Sequence, residues 1–158
     1  MKKIFYTFLL ISPLLFISSC EKEECICSNN EGNSNNGGNS ALEIGDVYLG
    51  GIIFQIDASG QSGLIAKTED TGVMNWYEAM SSESNGWTVP TIYQLGTMYD
   101  AIGYGADIIN VGNFEMAQYW SSTTHSGGTG YAFNFANGES FIGYNGILNC
   151  RVRLIRSF

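Results

Sequence analysis

The sequence has little positive charge, few prolines and a single histidine. Its 158 residues include 7 basic and 15 acidic ones, and the net charge of −8 gives no field that would attract a phosphate backbone. One imidazole, that of His125, excludes most multi-histidine metal sites and leaves little material for acid–base catalysis. We therefore expect no nucleic-acid partner, no metal, no cofactor and no enzymatic activity.

Glycine and aromatic residues are abundant instead. The chain contains 20 glycines and 13% aromatic residues, whereas only 14% of its residues are charged. This composition is typical of short strands, many turns and aromatic packing. The length allows one domain, or one domain with appendages.

Residues 1–19 have the pattern of a secretory signal peptide. Two lysines precede an apolar run from Ile4 to Ile17, and these 14 residues are too few to span a bilayer. The segment from Ile17 to Cys20 resembles the bacterial lipobox, in which the cysteine is lipidated and becomes the mature N-terminus. We expect lipidation of Cys20, with the membrane as a partner through the lipid anchor. The alternatives are an ordinary secretory signal or a buried hydrophobic helix.

Residues 20–41 are predicted to be the lipidated N-terminus and a flexible stalk. Glu21 to Glu24 resemble the signal that sends lipoproteins of the Bacteroidetes type to the outer face of the outer membrane, although a solvated charge run would look similar. Asn, Gly and Ser dominate from Ser28 to Ser40, so this stretch lacks the apolar surface needed to fold. We expect a surface-exposed, lipid-anchored protein of the outer membrane.

Four cysteines are present, two of them in the stalk. After lipidation of Cys20, an odd number remains, namely Cys25, Cys27 and Cys150. In an exported protein, Cys150 is then either a buried free thiol or paired with the stalk. We favour the buried thiol.

Residues 42–158 are predicted to form an α+β domain that begins and ends with short antiparallel strands. A Gly50-Gly51 turn between two β-rich runs indicates a hairpin. One helix is clear, from Thr91 to about Ile102, with Thr91 and Gln94 as a capping pair and Ile92, Leu95 and Met98 at helical spacing. Trp76 to Met80 is at most a helical turn.

The C-terminal part returns to strand patterns. Tyr131, Phe133 and Phe135 alternate with smaller residues before Asn137-Gly138, a preferred two-residue hairpin turn. In the last strand we expect Val152 and Leu154 to face the core and Arg151 and Arg153 to face solvent. Pairing of the first and last strands would close the domain. Trp76, Trp87 and Trp120 are expected in the core.

The order of several short motifs is similar to that in bacterial Lcl C-terminal-like domains. These motifs are Gly50 to Phe54, Gly63 to Ala66, Trp76 with Ala79, Gly86 to Thr91 with Leu95, Tyr119 to Thr123, Phe135 with Gly138, and Arg151 to Arg153. The resemblance implies a C-type-lectin-like fold, which is shared with formylglycine-generating enzymes and with variable proteins of diversity-generating retroelements. It implies a recognition domain, an adhesin, that binds a protein or glycan on another surface.

The resemblance does not carry over the chemistry of enzymatic or calcium-dependent relatives. Formylglycine-generating enzymes use a cysteine pair, whereas this domain has Cys150 alone, and the Glu-Pro-Asn, Gln-Pro-Asp and Trp-Asn-Asp motifs of calcium-dependent lectins do not occur. Two other classes stay open. One is a cell-envelope enzyme that uses His125 beside its serine neighbours, and the other is a structural envelope lipoprotein without ligand.

Two segments between the recognisable motifs, Thr124 to Tyr131 and Ser140 to Cys150, show neither alternation nor a turn pattern. They contain only residues that result from adenine changes in asparagine codons, which is how retroelement-diversified proteins vary their ligand surface. We expect irregular loops that bind the ligand, because loops on a rigid scaffold commonly carry recognition. The candidate ligand-binding residues are His125, Ser126, Thr129, Tyr131, Ser140, Phe141, Ile142, Tyr144, Asn145, Ile147 and Asn149.

Overall fold

The computed structural model describes residues 41–107, 109–143 and 147–158. The signal peptide 1–19, Cys20, the stalk cysteines Cys25 and Cys27, and the candidate residues Tyr144 and Asn145 lie outside the described residues. Within the described part the elements are β1 (Val47–Tyr48), β2 (Gly51–Ile56), β3 (Gly63–Lys67), β4 (Gly72–Met74), α1 (Trp76–Ser81), α2 (Ile92–Ile102), β5 (Gln118–Thr124), β6 (Gly130–Asn134), β7 (Glu139–Gly143), β8 (Cys150–Val152) and β9 (Ile155–Ser157). The α+β class is confirmed.

The strands form two sheets. One has the order β1-β2-β3-β9 and the other the order β4-β8-β5-β6-β7. The expectation that the first and last strands pair is wrong, because β9 pairs with β3 through Leu64↔Ser157 and Ala66↔Ile155, while β1 pairs with β2. With two residues, β1 offers a much shorter edge than the five-residue apolar strand β3.

The first hairpin is confirmed, but its turn is one residue earlier than predicted. Leu49 and Gly50 occupy the turn with φ angles of 47° and 81°, the positive values that match the twist of a two-residue hairpin. Gly51 belongs to β2 and has another role. A Cβ there would lie 2.6 Å from the Ala66 carbonyl oxygen, so glycine allows β2 and β3 to approach each other.

Both helices start with a capping box. At α2, Gln94 N donates to Thr91 Oγ1 at 3.3 Å and Thr91 N donates to Gln94 Oε1 at 2.8 Å, as predicted. The expectation of one clear helix is wrong. Asn75 and Glu78 cap α1 in the same reciprocal way, and both of their hydrogen bonds are 3.1 Å long. The helix was missed because it is only 6 residues long and buries only Ala79 fully.

Two hydrophobic clusters form the core. The first joins β2, β3 and α2 to Tyr119, Phe133 and Phe135, and the second surrounds Trp120 beneath α1. Trp120 is fully buried, and its Nε1 donates to the Met74 carbonyl oxygen at 2.9 Å. Trp76 and Trp87 are half-buried against the second cluster, so these tryptophans pack as expected.

The hairpin between β6 and β7 does not have the predicted two-residue turn. Asn134 pairs with Glu139, so residues 135–138 form a four-residue connection. Phe135 explains the difference, because its ring is fully buried in the first cluster and its N–H donates to Ala117 O at 2.9 Å instead of to β7.

Arg153 is buried, and its predicted exposure is wrong. The residue is 1% exposed, and its Nε donates to Asp70 Oδ1 at 2.7 Å. Its Nη atoms donate to the carbonyl oxygens of Lys67, Gly112 and Asn113 at 2.9, 2.8 and 3.1 Å. The alternation fails because the chain leaves β8 after Val152 and enters β9 only at Ile155.

Candidate binding groove

The two segments predicted to be irregular loops are largely ordered by strand pairing. The first forms the end of β5, the tip of a hairpin and the start of β6, and His125 N donates to Thr129 O across the tip at 2.7 Å. The second begins with β7, which pairs with β6 through Tyr131↔Ile142 and Phe133↔Ser140. The prediction of irregular structure is therefore wrong for most of the described part of the second segment, whereas the first segment is irregular between Thr124 and Gly130, at the hairpin tip. These strands lack a simple alternation of apolar and polar residues, because both faces of this sheet are covered by protein in places.

His125 lies in a small polar cluster at the hairpin tip. Its Nδ1 is 3.1 Å from the Ser126 carbonyl oxygen, 3.2 Å from Ser126 Oγ and 3.5 Å from Thr129 Oγ1. Its ring meets the Tyr131 ring edge-on, with the centroids 5.5 Å apart. The structure thus brings together four candidate residues, since the His125 ring contacts Ser126, Thr129 and Tyr131.

A groove lies beside this cluster, between α2 and the strands β5, β6 and β7. Its volume is about 570 Å³, within the usual range for ligand sites, roughly 300–1,000 Å³. The candidate residues Tyr131 and Ser140 line it together with Ile92, Tyr93, Gly96, Thr97, Asp100, Thr123 and Phe133. One residue from each predicted segment therefore reaches the same concave surface.

The wall formed by α2 is fixed to the sheet at several points. Ile92 N donates to Thr123 Oγ1 at 3.0 Å, and Ser122 N donates to the Pro90 carbonyl oxygen at 2.8 Å. Farther along the helix, the Tyr99 ring lies 5.6 Å from the ring of Phe133. These contacts hold α2 against the sheet from its first residue to Tyr99, so the wall of the groove is part of the packed fold.

Sequence reasoning missed the residues that α2 contributes. Tyr93, Thr97 and Asp100 are spaced along one face of the helix, and the Tyr93 side chain is 85% exposed. Gly96 lies among them, and a Cβ built there would be 3.7 Å from Phe133 Cε2, an ordinary contact distance. Glycine in the middle of a helix costs stability relative to alanine. At position 96 it places no side chain on the α2 wall of the groove.

The remaining candidate residues do not line the groove. Phe141 is half-buried against the second core cluster. Ile142 is paired with Tyr131 and lies on the same face of the sheet, 44% exposed, but it is not part of the groove lining. Ile147 is exposed, and Asn149 lines a separate cavity of about 450 Å³ beside Gln118. Phe133 lines the groove and its neighbour Asn134 lines this cavity, so the two concave surfaces lie on opposite faces of β6.

Comparison with known protein families gave no match, and neither did comparison with curated proteins. The groove must therefore be interpreted from its own residues. In the described part of the chain, no helix is long and apolar enough to cross a membrane.

The charge of the groove is negative. Among the described residues that line it, Asp100 is the only charged one. The basic residues of the described part are Lys67, Arg151, Arg153 and Arg156, and none of them lines the groove. With an aromatic ring on each wall, hydroxyl groups and one carboxylate, the groove offers stacking, hydrogen bonding and a counter-ion for positive charge.

Proposed function

We propose that this chain is a lipid-anchored protein of the bacterial cell surface whose domain, residues 42–158, binds a protein or glycan ligand. The ligand occupies the groove between α2 and the β5–β7 strands. Recognition, rather than catalysis, is the activity of this groove.

The observation that carries this proposal is that Tyr131 and Ser140 line the same groove as the exposed Tyr93, and that the neighbouring Gly96 adds no side chain that would fill it. An exposed tyrosine on a helix contributes little to folding. Beside a groove it offers a ligand a large contact area, and only two side-chain torsion angles must be fixed on binding. The fixed position of α2 supports binding without a costly rearrangement.

The sequence supports the rest of the proposal. The lipobox-like segment ending at Cys20 and the acidic signal after it favour an anchored, surface-exposed protein. The similarity of the ordered motifs to Lcl C-terminal-like domains favours the C-type-lectin-like fold, and the α+β architecture with two sheets is compatible with that fold. Retroelement diversification would change His125, which lies beside the groove, and Tyr131, which lines it.

The test is a binding screen with the full-length lipidated protein in detergent micelles, on arrays of glycans and of bacterial and host surface proteins. Gly96→Leu should remove binding of any retained ligand, because the leucine side chain would extend from the helix into the groove. Ser81→Leu is the matched control, since it adds the same side chain to an exposed position on α1.

A ligand that binds wild type and Gly96→Leu equally would place recognition elsewhere on the molecule. If neither array retained any ligand, the structural envelope class would be favoured over the binding class. Turnover of a substrate that depends on His125 would favour the enzyme class.

A further inference from the structure

The positive charges of the described part are all engaged away from the groove. Arg151 and Arg153 form ion pairs with Asp70 at 3.0 and 2.7 Å. Lys67 and Arg156 lie over the Trp87 ring, 5.5 and 4.7 Å from its centroid. None of these cations is available to a ligand in the groove.

Asp100 is in the opposite situation. It lines the groove, and within the described residues no cationic group lies within the 4.0 Å that defines an ion pair with its carboxylate. Asp100 also borders a second cavity with Ala101 and Ala106, so it stands at the end of the groove, and a ligand that fills the groove would cover part of its carboxylate. Covering a charged group without supplying a partner is unfavourable, because the charge loses water and gains nothing in return. The occupant should therefore bring a positive charge.

The aromatic residues of the groove favour the same ligand. Tyr93 and Tyr131 stand on its two walls, and the face of an aromatic ring attracts a cation. The 11 acidic residues of the domain, against 4 basic ones, add a long-range attraction for cations and a repulsion for anions. We propose that the groove accepts a lysine or arginine side chain of a partner protein, with Asp100 as its counter-ion and the two tyrosines against its stem and head group. This inference rests on the proposed function of the groove.

The test uses the peptide acetyl-Gly-Arg-Gly-amide and its citrulline analogue, which has nearly the same shape but no charge. Binding to the full-length protein in micelles is followed by NMR, through the ring resonances of Tyr93 and Tyr131. We expect the arginine peptide to shift both rings and the citrulline peptide to shift them much less. Binding of the arginine peptide should weaken as salt is raised from about 50 to about 500 mM.

Asp100→Asn should weaken binding of the arginine peptide roughly two- to fivefold, the range for an exposed ion pair. Glu115→Gln is the control, because it removes the same charge from an exposed side chain that does not line the groove. Equal binding of the two peptides, equal effects of the two substitutions, or no ring shifts would overturn the inference.

The outcomes also separate this inference from the function on which it rests. A neutral ligand such as cellobiose that shifts both tyrosine rings, is blocked by Gly96→Leu and ignores Asp100→Asn would refute the cationic ligand but keep the groove as a binding site. If no array ligand depends on the groove either, both proposals fail together.

Discussion

Arg153 holds a buried positive charge at the point where the two sheets meet the long connection before β5. Asp70 neutralises it and also accepts hydrogen bonds from Arg151 Nη1 at 3.0 Å and from the Tyr119 hydroxyl at 3.1 Å. Burial raises the pKa of Tyr119 above its usual range, so this hydroxyl stays protonated and keeps donating. The guanidinium also lies 4.4 Å from the centroid of the Phe114 ring. The Asp70 carboxylate therefore binds side chains that are each more than forty positions away from it in the sequence.

Removing that carboxylate should be expensive. Asp70→Asn leaves the Arg153 guanidinium buried without its counter-ion, and we expect a loss of about 3–5 kcal/mol in the free energy of unfolding. Urea titration monitored by tryptophan fluorescence would measure it. Glu69→Gln, at the exposed neighbouring position, should change stability by less than about 0.5 kcal/mol. If the two variants unfold at the same urea concentration, the network contributes nothing to stability.

Cys150 should behave as an inert thiol in the folded protein. It is 2% exposed, and burial raises its pKa to about 12, so almost no thiolate exists at neutral pH. In a Cys25→Ser, Cys27→Ser background, we expect the thiol to react with a maleimide only after unfolding. Because the folded-state pKa is the higher one, the stabilising contribution of the neutral thiol is complete below about pH 8.5 and is lost as the pH rises toward 12. Rapid labelling of the native protein at pH 7 would contradict this assignment.

At the scale of the elements, local signals predicted what local interactions determine. The capping pair Thr91 and Gln94 and the spacing of Leu95 and Met98 are contained within eight residues, and α2 forms as they indicate. The same local signal was present for α1 in Asn75 and Glu78. The sequence indicates only a helical turn there, because α1 is too short to show apolar periodicity.

Long-range contacts account for what the sequence did not reveal. Phe135 continues an apparent strand pattern, but the core on one side of the sheet draws it out of the β6–β7 ladder. Tyr93 and Asp100 look like ordinary surface residues of α2 until β6 and β7 are placed opposite them. A groove between a helix and a sheet has no signature in either segment alone, so the sequence indicates only Tyr131 and Ser140 among the lining residues.

The strands around the groove should separate into framework and surface positions. Trp120→Ala should cost about 3–5 kcal/mol, because it empties a fully buried site in the second core cluster. Phe141→Ala should cost roughly half as much, since its ring is only half-buried against that cluster. His125→Ala should stay within about 1 kcal/mol, because its contacts are confined to the hairpin tip.

Thermal melts of these three variants would establish the order without knowledge of the ligand. The result that contradicts the assignment is a melting temperature of His125→Ala as low as that of Trp120→Ala, which would make the hairpin tip part of the core. A Phe141→Ala variant as stable as wild type would instead return Phe141 to the binding surface expected from the sequence.

At the scale of the whole molecule, the distribution of charge and the proposed anchor have related consequences. The domain, residues 42–158, has 11 acidic and 4 basic residues, and its net charge of −7 disfavours adhesion to the anionic surface of its own membrane. In the proposed arrangement, attachment would come from the acyl chains on Cys20, because residues 21–24 contain three acidic residues and one lysine rather than the basic patch that often assists lipid anchors. The groove would remain free for partners on other surfaces.

Cys20→Ala should therefore move the protein out of the membrane fraction, as a soluble or uncleaved form, since nothing else in the sequence after residue 19 resembles a membrane anchor. Labelling with an alkyne fatty acid, followed by fractionation, measures both lipidation and attachment, and Cys25→Ser is the control because it changes a stalk cysteine that lies outside the lipobox. Unchanged membrane partition of Cys20→Ala without fatty-acid label on the wild type would refute the anchor.

Protease added to intact cells should release the domain by cutting between Ser28 and Ser40, where small polar residues favour cleavage. Protection from protease until the cells are lysed would place the anchored domain in the periplasm, where it could not meet partners on another cell.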